Sequence, residues 1–298
     1  MSGEVPKEAG GDAGAGSGEA ERVPRVSLAE LARLSIGELR VRFVDVDEEP
    51  SRGVMQALRE DRRAGVRALV SRIEKRREER RHEERRLTTL TQFERELWDG
   101  GIERVGGVDE VGMAPLAGPV ITAAVILPRG ARLKGVNDSK QLTHEEREAL
   151  EPQIRAMAVA VAIGEATVEE IDRLNIYQAG LLALKRAVMA LDPLPQHLLV
   201  DARRIDVPMP QLPIIQGDAK SLTIGAASIV AKVFRDRLMS QLDAQYPGYG
   251  LAQHKGYPTP VHLEALERLG PCAIHRRSFG PVQRALGLDA GSKQGQLF

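Results

Sequence analysis

The change of pattern near residue 100, where helical periodicity gives way to short apolar stretches, constrains the fold more than any other feature. The first two stretches are rich in β-branched residues and flank a Gly/Pro turn, which favours a β-hairpin. The predicted strands are 105–112, 119–127, 159–167, 198–201 and 213–216. The helices predicted among them are 144–157, 175–191 and 219–244. Three strands followed by alternating helices and strands predict an α/β fold: a mixed five-stranded sheet with helices on both faces.

The residues before this change predict a helical N-terminal extension at 27–100. The run 75–86 is nearly all charged, with opposite charges within helical reach, which favours a solvated helix over a nucleic-acid-binding arm. The turn Asp99-Gly100-Gly101 ends the extension, and we expect the boundary with a domain at 101–288 there. A helix at 54–73 is indicated by an apolar stripe at helical spacing: Val66, Leu69, Val70 and Ile73.

Composition excludes several classes of protein. A single cysteine, Cys272, rules out an internal disulfide and a Cys-rich zinc site, and it fits a reducing cytoplasm. No apolar run approaches the roughly 20 residues that a membrane span needs, and residues 1–26 are Gly-rich and predict a disordered tail, not a secretory signal. Because 42 basic residues balance 42 acidic ones, any binding of nucleic acid has to come from a local site.

Four carboxylates stand in or directly after predicted strands. Asp109 and Glu110 lie inside GVDEVG, Asp201 ends LLVDA, and Asp218 ends PIIQGD and opens the long helix. Packed carboxylates raise one another's pKa unless a cation lies among them, and oxygen ligands without cysteine favour Mg²⁺ or Mn²⁺. Two such ions about 3.5–4 Å apart would hold a phosphodiester between them. The alternative is four unrelated caps and surface acids.

The motifs, taken in order, resemble bacterial ribonuclease HII. They are GVDEVGMAPLAGPVITAAVILP, NDSKQL, NIYQAGLLALKRAV, LLVDA, GDAKSLTIGAASIVAKVFRDR, YPGYGLAQHKGYPTPVHLEAL and HRRSFGPV. The resemblance covers about residues 103–288 and, loosely, the helical extension. It implies a ribonuclease H-like fold and a metal-dependent endonuclease acting on RNA–DNA hybrids and on ribonucleotides embedded in duplex DNA. Cleavage on the 5′ side of the ribonucleotide, leaving a 3′-hydroxyl, is implied as well.

The resemblance also implies roles for particular residues. The family's acidic quartet falls on Asp109, Glu110, Asp201 and Asp218, with Asp109 bridging two ions. Tyr257, in HKGYPT, matches the tyrosine that packs on the sugar at the RNA–DNA junction. The alternative for Tyr257 is a half-buried loop aromatic.

The sequence departs from the family after the Asp-Glu pair, where a Gly-Arg-Gly stretch usually senses the ribose 2′-hydroxyl. Here the matching positions are Gly112, Met113 and Ala114. Ala114 adds a methyl group where the main chain should approach the sugar, and Met113 removes a guanidinium that can hold phosphate. We expect the loop geometry to survive, so that junction cleavage persists with weaker binding. The alternatives are a general hybrid nuclease with weakened junction selectivity and a catalytically weak hybrid-binding protein.

Other polar residues are weaker candidates for contact with nucleic acid. Lys140, in a loop before a capped helix, could reach a phosphate or be solvated. Lys220 and Ser221, at a helix start, could bind phosphate or serve as caps. The one locally basic cluster near the C-terminus is interpreted as a duplex-backbone contact; it comprises His254, His275, Arg276 and Arg277.

The C-terminal segment 289–298 predicts a flexible tail ending in apolar residues. It resembles short bacterial sliding-clamp-binding motifs, in which a glutamine and a terminal Leu-Phe pair are the anchors. Gln294, Leu297 and Phe298 are therefore candidate partner-binding residues. The alternative is a frayed end, and the chain is expected to be a monomer.

Overall fold

The computed structural model describes residues 27–46 and 48–288; the predicted tails at 1–26 and 289–298 lie outside this part of the chain. The chain divides into two compact units between Arg81 and His82. This division falls inside a helix and not at the Asp99-Gly100-Gly101 turn, because Leu87 and Leu90 already pack in the core of the second unit. None of the described helices combines the length and the apolar character that crossing a membrane requires.

The first unit is helical, as the sequence predicted. Its elements are α1 (Leu28–Leu31), α2 (Ile36–Arg40), a π-helical turn (Val41–Asp45), α3 (Arg52–Glu60) and the first part of α4 (Ala64–Leu90). The helix expected at 54–73 is interrupted, because Asp61 is extended and its carboxylate accepts a hydrogen bond from the Arg63 N–H at 2.9 Å. The predicted apolar stripe of α4 is buried beside Leu39 and Phe43.

The second unit contains the predicted mixed five-stranded sheet. The strands are β1 (Val105–Val111), β2 (Val120–Ile126), β3 (Ala160–Ala166), β4 (His197–Asp201) and β5 (Gln211–Ile214). Their order is β3-β2-β1-β4-β5. The pairs β1–β2 and β2–β3 are antiparallel, whereas β1–β4 and β4–β5 are parallel. The carboxyl ends of β1, β4 and β5 therefore meet at one edge of the sheet.

Capping residues start several helices of this unit where the sequence predicts. The helices are α5 (Gln92–Asp99), α6 (His144–Met157), α7 (Val168–Leu174), α8 (Ile176–Met189), α9 (Gly217–Lys220), α10 (Leu222–Gln245), α11 (Leu251–His254), α12 (Pro260–Leu269) and α13 (Gly280–Ala285). The capping box of Thr143 with Glu146 opens α6, and Asn175 caps α8. Helix α7 was not predicted, although Thr167 opens it with a capping box of its own. The single helix expected at 219–244 is two helices, because Ser221 is extended and caps α10.

Helices cover both faces of the sheet. Helix α10 packs against Ile121, Ala123 and Val125, whereas α8 packs against the alternate residues Ala124 and Ile126. Both helices lie close to the sheet. A Cβ at Gly107 would lie 2.4 Å from the Thr223 carbonyl carbon of α10, and one at Gly164 would lie 2.2 Å from the Ala183 oxygen of α8. Because side chains alternate along β1, Asp109 lies on the same face as Gly107, towards α10, and Glu110 lies on the α8 face.

Candidate active site

The fold brings the four sequence-predicted acids to one edge of the sheet. Asp109 and Glu110 lie towards the C-terminal end of β1, and Asp201 is the last residue of β4. Asp218 lies in the short helix α9, which follows β5 after a tight turn. Parallel pairing of β1, β4 and β5 accounts for this meeting of residues that are distant in sequence.

Electrostatic effects show that these carboxylates share one environment. The pKa of Asp109, which is 5% exposed, lies well above its usual value, chiefly because of burial and then because of the charges of Glu110, Asp201 and Asp218. Burial also raises the pKa of Asp201, and the charge of Asp218 adds to it. The alternative of four unrelated surface acids does not explain this mutual repulsion.

An arginine that sequence reasoning missed lies against this cluster. The Arg203 Nη2 is 3.1 Å from the Glu110 Oε1, and the charge of Arg203 opposes the rise that burial causes in the pKa of Glu110. The Arg203 Cζ also lies 5.4 Å from the centroid of the Tyr177 ring. The sequence signal that could have identified Arg203 is its position two residues after Asp201, at the end of a predicted strand.

Lys140 provides a second positive charge at the acids. Its Nζ donates to the Asp218 Oδ2 at 3.1 Å and lies 3.8 Å from the Asp138 Oδ1. The side chain is 79% exposed, so it remains accessible to a nucleic-acid phosphate.

The donor set suits a hard divalent ion, although the side chains are not arranged around one. Within residues 27–46 and 48–288, no three His, Cys, Asp or Glu side chains form a group that could hold a metal. The Glu110 Oε2, however, is buried without a hydrogen-bond partner. A buried carboxylate oxygen without a partner is costly, and a cation among the acids would satisfy it. The ligand chemistry therefore fits Mg²⁺ or Mn²⁺ once the carboxylates turn towards a shared ion.

The loop that departs from the family pattern keeps an ordered main chain. Gly112 has a φ of 92°, and a Cβ there would lie 2.3 Å from the Arg235 Nε, so glycine is required. Ala114 is exposed, and its φ is not in the left-handed region, so its methyl group does not strain the backbone. Met113 is half-buried in an apolar cluster that includes Val120 and Phe279.

Tyr257 lies in the turn after α11 and is 37% exposed. Its main chain is held at both ends, because its N–H donates to the His254 oxygen at 2.9 Å and its own oxygen lies 2.9 Å from the His262 Nδ1. The ring is therefore available on a firmly held turn.

Two weaker candidates for contact with phosphate, Lys220 and Ser221, form hydrogen bonds within the protein. The Ser221 hydroxyl is fully buried, accepts from the Ile224 N–H at 3.2 Å as the cap of α10 and donates to the Glu94 Oε1 at 2.6 Å, so it is not a phosphate contact. The Lys220 Nζ donates to the Ile215 oxygen at 2.9 Å.

The expected duplex-contacting cluster near the C-terminus is contradicted by burial. His275 is 1% exposed and Arg276 is fully buried, whereas His254 is 9% exposed. Only Arg277 remains exposed. His275 and Arg276 point into the protein because the partner of His275 is His262 and that of Arg276 is the Gly118 carbonyl.

Comparisons with known proteins agree with this fold. The family model described as Ribonuclease HII matches residues 106–282, and the one described as Ribonuclease HII N-terminal domain matches residues 35–98. The ribonuclease HII of Anaeromyxobacter sp. (strain Fw109-5) is 59% identical over 270 residues, covering 90% of this chain and 85% of that protein. That of Myxococcus xanthus (strain DK1622) is 54% identical over 273 residues, covering 91% and 93%.

A solved structure confirms the ribonuclease H-like architecture. The ribonuclease H2 from Pyrococcus horikoshii OT3 superposes with a TM-score of 0.54 at 28% identity, covering 61% of this chain and 96% of that chain. Together with the sequence matches, this establishes that the chain belongs to the ribonuclease HII family, whose members are metal-dependent endonucleases that cleave RNA in RNA–DNA hybrids.

Proposed function

We propose that the acids Asp109, Glu110, Asp201 and Asp218 bind two divalent ions, Mg²⁺ or Mn²⁺, and that the chain cuts on the 5′ side of a ribonucleotide. Its substrates are the RNA strand of hybrids and single ribonucleotides embedded in duplex DNA. The supporting observation is that parallel pairing brings these acids to the carboxyl ends of β1, β4 and β5, where burial, followed by the neighbouring carboxylates, raises the pKa of Asp109.

The chemistry is hydrolysis of a phosphodiester. The oxygen of water bonds to phosphorus, the bond from phosphorus to O3′ breaks, and O3′ takes up a proton, which leaves a 3′-hydroxyl and a 5′-phosphate. Bound divalent ions supply activation of water and stabilisation of the leaving oxygen. The chain's own contribution is to hold the ions on carboxylates and to present Lys140 and Arg203, whose cationic groups can donate charged hydrogen bonds to phosphate.

Selectivity for the junction is assigned to the loop at Gly112, Met113 and Ala114 and to the ring of Tyr257. The unstrained backbone at Ala114 supports retained recognition through main-chain groups. Met113 offers no charged donor to phosphate, so binding is expected to be weaker than with arginine there. A general hybrid nuclease with weakened junction selectivity is the second candidate function, favoured by the methyl group that Ala114 adds where the main chain should approach the sugar.

Cleavage mapping separates these possibilities. A duplex with one ribonucleotide and a long hybrid are each incubated with Mg²⁺ and with Mn²⁺, and the ends are sequenced. We expect both substrates to be cut, the first at one position 5′ of the ribonucleotide. Cleavage of the long hybrid alone would favour the general nuclease, and binding without cleavage would leave only a hybrid-binding protein. Asp109→Asn should abolish cleavage while duplex binding persists.

The proposal extends to the domain organisation, the oligomeric state and the C-terminal tail. We assign 27–100 to a helical extension and 101–288 to a catalytic domain, in a monomer of the cytoplasm. The tail lies outside the described residues, and we propose that Gln294, Leu297 and Phe298 bind the sliding clamp. Deleting residues 296–298 should lower the affinity for the clamp, and an unchanged affinity would remove the idea.

A further inference from the structure

Two arginines are fully buried next to the loop that follows β1. Arg235 lies on α10, and Arg276 lies between α12 and α13; both have 0% exposure. Within the described part of the chain, neither guanidinium forms an ion pair with a carboxylate. Burial of a charge is costly unless it is well compensated, so their position requires an explanation other than a salt bridge.

The hydrogen-bond acceptors of both guanidiniums are main-chain oxygens, and the Arg276 Cζ also lies 5.2 Å from the centroid of the Phe279 ring. Arg276 donates to the carbonyls of Gly112, Met113 and Gly118, at 2.6, 3.1 and 2.9 Å. All three carbonyls belong to the loop between β1 and β2. One planar guanidinium thus holds both ends of this loop.

Arg235 connects the same loop to a second one. It donates to the Ala117 and Pro119 oxygens at 3.1 and 3.2 Å, and to the Lys255 oxygen at 3.0 Å. Lys255 has a φ of 52°, in the left-handed region, and begins the turn that carries Tyr257. Arg235 therefore fixes the loop and the tyrosine turn relative to each other.

The two cations also lie close to each other and to the tyrosine. Burial, followed by the neighbouring charge of Arg235, lowers the pKa of Arg276 to about 9, while Asp172 and the Tyr257 phenol act in the opposite direction. Burial likewise lowers the pKa of Arg235 to about 10, against the influence of Tyr257 and Asp236. Both guanidiniums thus lie within electrostatic reach of the Tyr257 oxygen.

We propose that Arg235 and Arg276 are positioning residues of the nuclease site, which hold the loop at Gly112–Ala114 and the Tyr257 turn in the one arrangement that receives the RNA–DNA junction. This inference rests on the proposed function of those two segments. Since the arginines bond to carbonyls, they keep the loop in place whatever side chains stand at positions 113 and 114. This explains how the chain can carry Met113 and Ala114 without loss of the loop geometry.

Lysine substitution tests the role, because lysine keeps the charge but cannot bond to three carbonyls in a planar fork. Hydrogen exchange of the full chain is measured for Arg235→Lys and Arg276→Lys. For Arg235→Lys we expect faster exchange in both 112–119 and 255–259; for Arg276→Lys we expect it first in 112–119. In both variants, KM for the single-ribonucleotide duplex should rise about tenfold while kcat changes by less than about threefold.

A matched control separates positioning from general destabilisation. Ile154→Ala removes a fully buried side chain of α6, which belongs to a different apolar cluster from Met113. It should lower the melting temperature without changing KM or the preference for the single-ribonucleotide duplex. Arg276→Gln, which retains two donors without charge, serves if the lysine variant does not fold.

Two results would overturn the positioning role. One is unchanged exchange in 112–119 and 255–259 in the folded arginine variants. The other is a rise in KM in Ile154→Ala equal to that in Arg276→Lys. If the wild-type chain cuts neither substrate, the proposed function fails, yet the exchange data still decide whether the arginines hold the two segments.

Discussion

Among single residues, Met113 stands where the family usually has an arginine, and the side chain of Arg203 lies beside it. A Cβ at Gly180 on α8 would lie 3.1 Å from the Met113 Sδ and 3.0 Å from the Arg203 Nη1. The two side chains therefore share one space, beside Glu110. The Nη1 of Arg203 is buried without a hydrogen-bond partner. A guanidinium is thus present near position 113, but it comes from the loop after β4.

Met113→Arg alone should consequently lower the free energy of unfolding, although its guanidinium adds a donor for phosphate. The new guanidinium would enter an apolar cluster next to Arg203, and burying such a charge without a partner should cost about 1–3 kcal/mol of unfolding free energy. The double variant Met113→Arg/Arg203→Met should recover most of the loss. Urea unfolding and KM for the hybrid, measured for the single and double variants, give the coupling. Additive effects would show that the two positions are independent.

Between elements, the junction of α5 and α10 depends on one buried carboxylate. Glu94 is fully buried, and its Oε1 accepts hydrogen bonds from the Ser221 hydroxyl at 2.6 Å and from the Thr223 N–H at 2.9 Å. Burial raises the pKa of Glu94, opposed by these hydrogen bonds. The start of α10, close after Asp218, is therefore held by a side chain of the preceding helical region.

Glu94→Ala should destabilise the chain by about 3 kcal/mol, because two buried donors lose their acceptor. The equivalent change on the exposed face of the same helix, Glu96→Ala, should stay within about 0.5 kcal/mol of the wild type. Denaturant unfolding of both variants measures the difference. Similar small losses for both would show that Glu94 does not support the start of α10.

The histidines under the Tyr257 turn make stability depend on pH. The Nε2 atoms of His262 and His275 lie 3.1 Å apart, and burial, followed by the charge of His262, lowers the pKa of His275 to about 4. An unfolded histidine titrates near pH 6.5. Because the unfolded chain binds the proton first, stability is full above pH 6.5 and falls as the pH drops towards 4.

Between pH 7 and pH 4.5 this loss should amount to about 2 kcal/mol for His275 alone, from roughly 1.4 kcal/mol for each pH unit in which only the unfolded histidine is protonated. Urea unfolding at pH 7 and pH 4.5 measures it. His275→Gln should show a smaller loss than the wild type, and His144→Gln, at an exposed site, should show the same loss as the wild type. An equal acid sensitivity in all three proteins would contradict the assignment.

For the molecule as a whole, the cluster of buried acids lowers the free energy of unfolding when no ions are bound. Burial and three neighbouring carboxylates all disfavour the charge of Asp109. Only Lys140 and Arg203 form ion pairs with the four acids in the described structure. The folded chain without ions therefore carries repulsion that bound cations would relieve.

Asp109→Asn should stabilise the ion-free protein by about 1 kcal/mol or more, because it removes one charge from the buried cluster. With EDTA, the variant should melt at a higher temperature than the wild type. Added Mg²⁺ or Mn²⁺ should raise the melting temperature of the wild type more than that of the variant. If the variant melts lower with EDTA, or if the ions stabilise both proteins equally, Asp109 does not belong to an ion site.

Local patterns in the sequence predicted the five strands and selected the four acids that the fold brings to one edge of the sheet. The strands and the starts of α6 and α8 followed from apolar periodicity and from the capping residues Thr143 and Asn175, since these signals act over a few neighbouring residues. Asp109 and Asp201 were recognisable because a carboxylate at a buried strand is costly without compensation. The mixed sheet was predictable from the order of these elements.

Only the tertiary structure decided which partners these residues meet. Arg276 turned inwards, Ser221 met Glu94, and Arg203 met Glu110, in each case through a residue far away in the chain. The two compact units likewise divide within α4, because Leu87 and Leu90 pack in the core of the second unit. Burial and charge pairing depend on how distant segments of the chain pack together. The residues next to a given position in the sequence do not determine that packing.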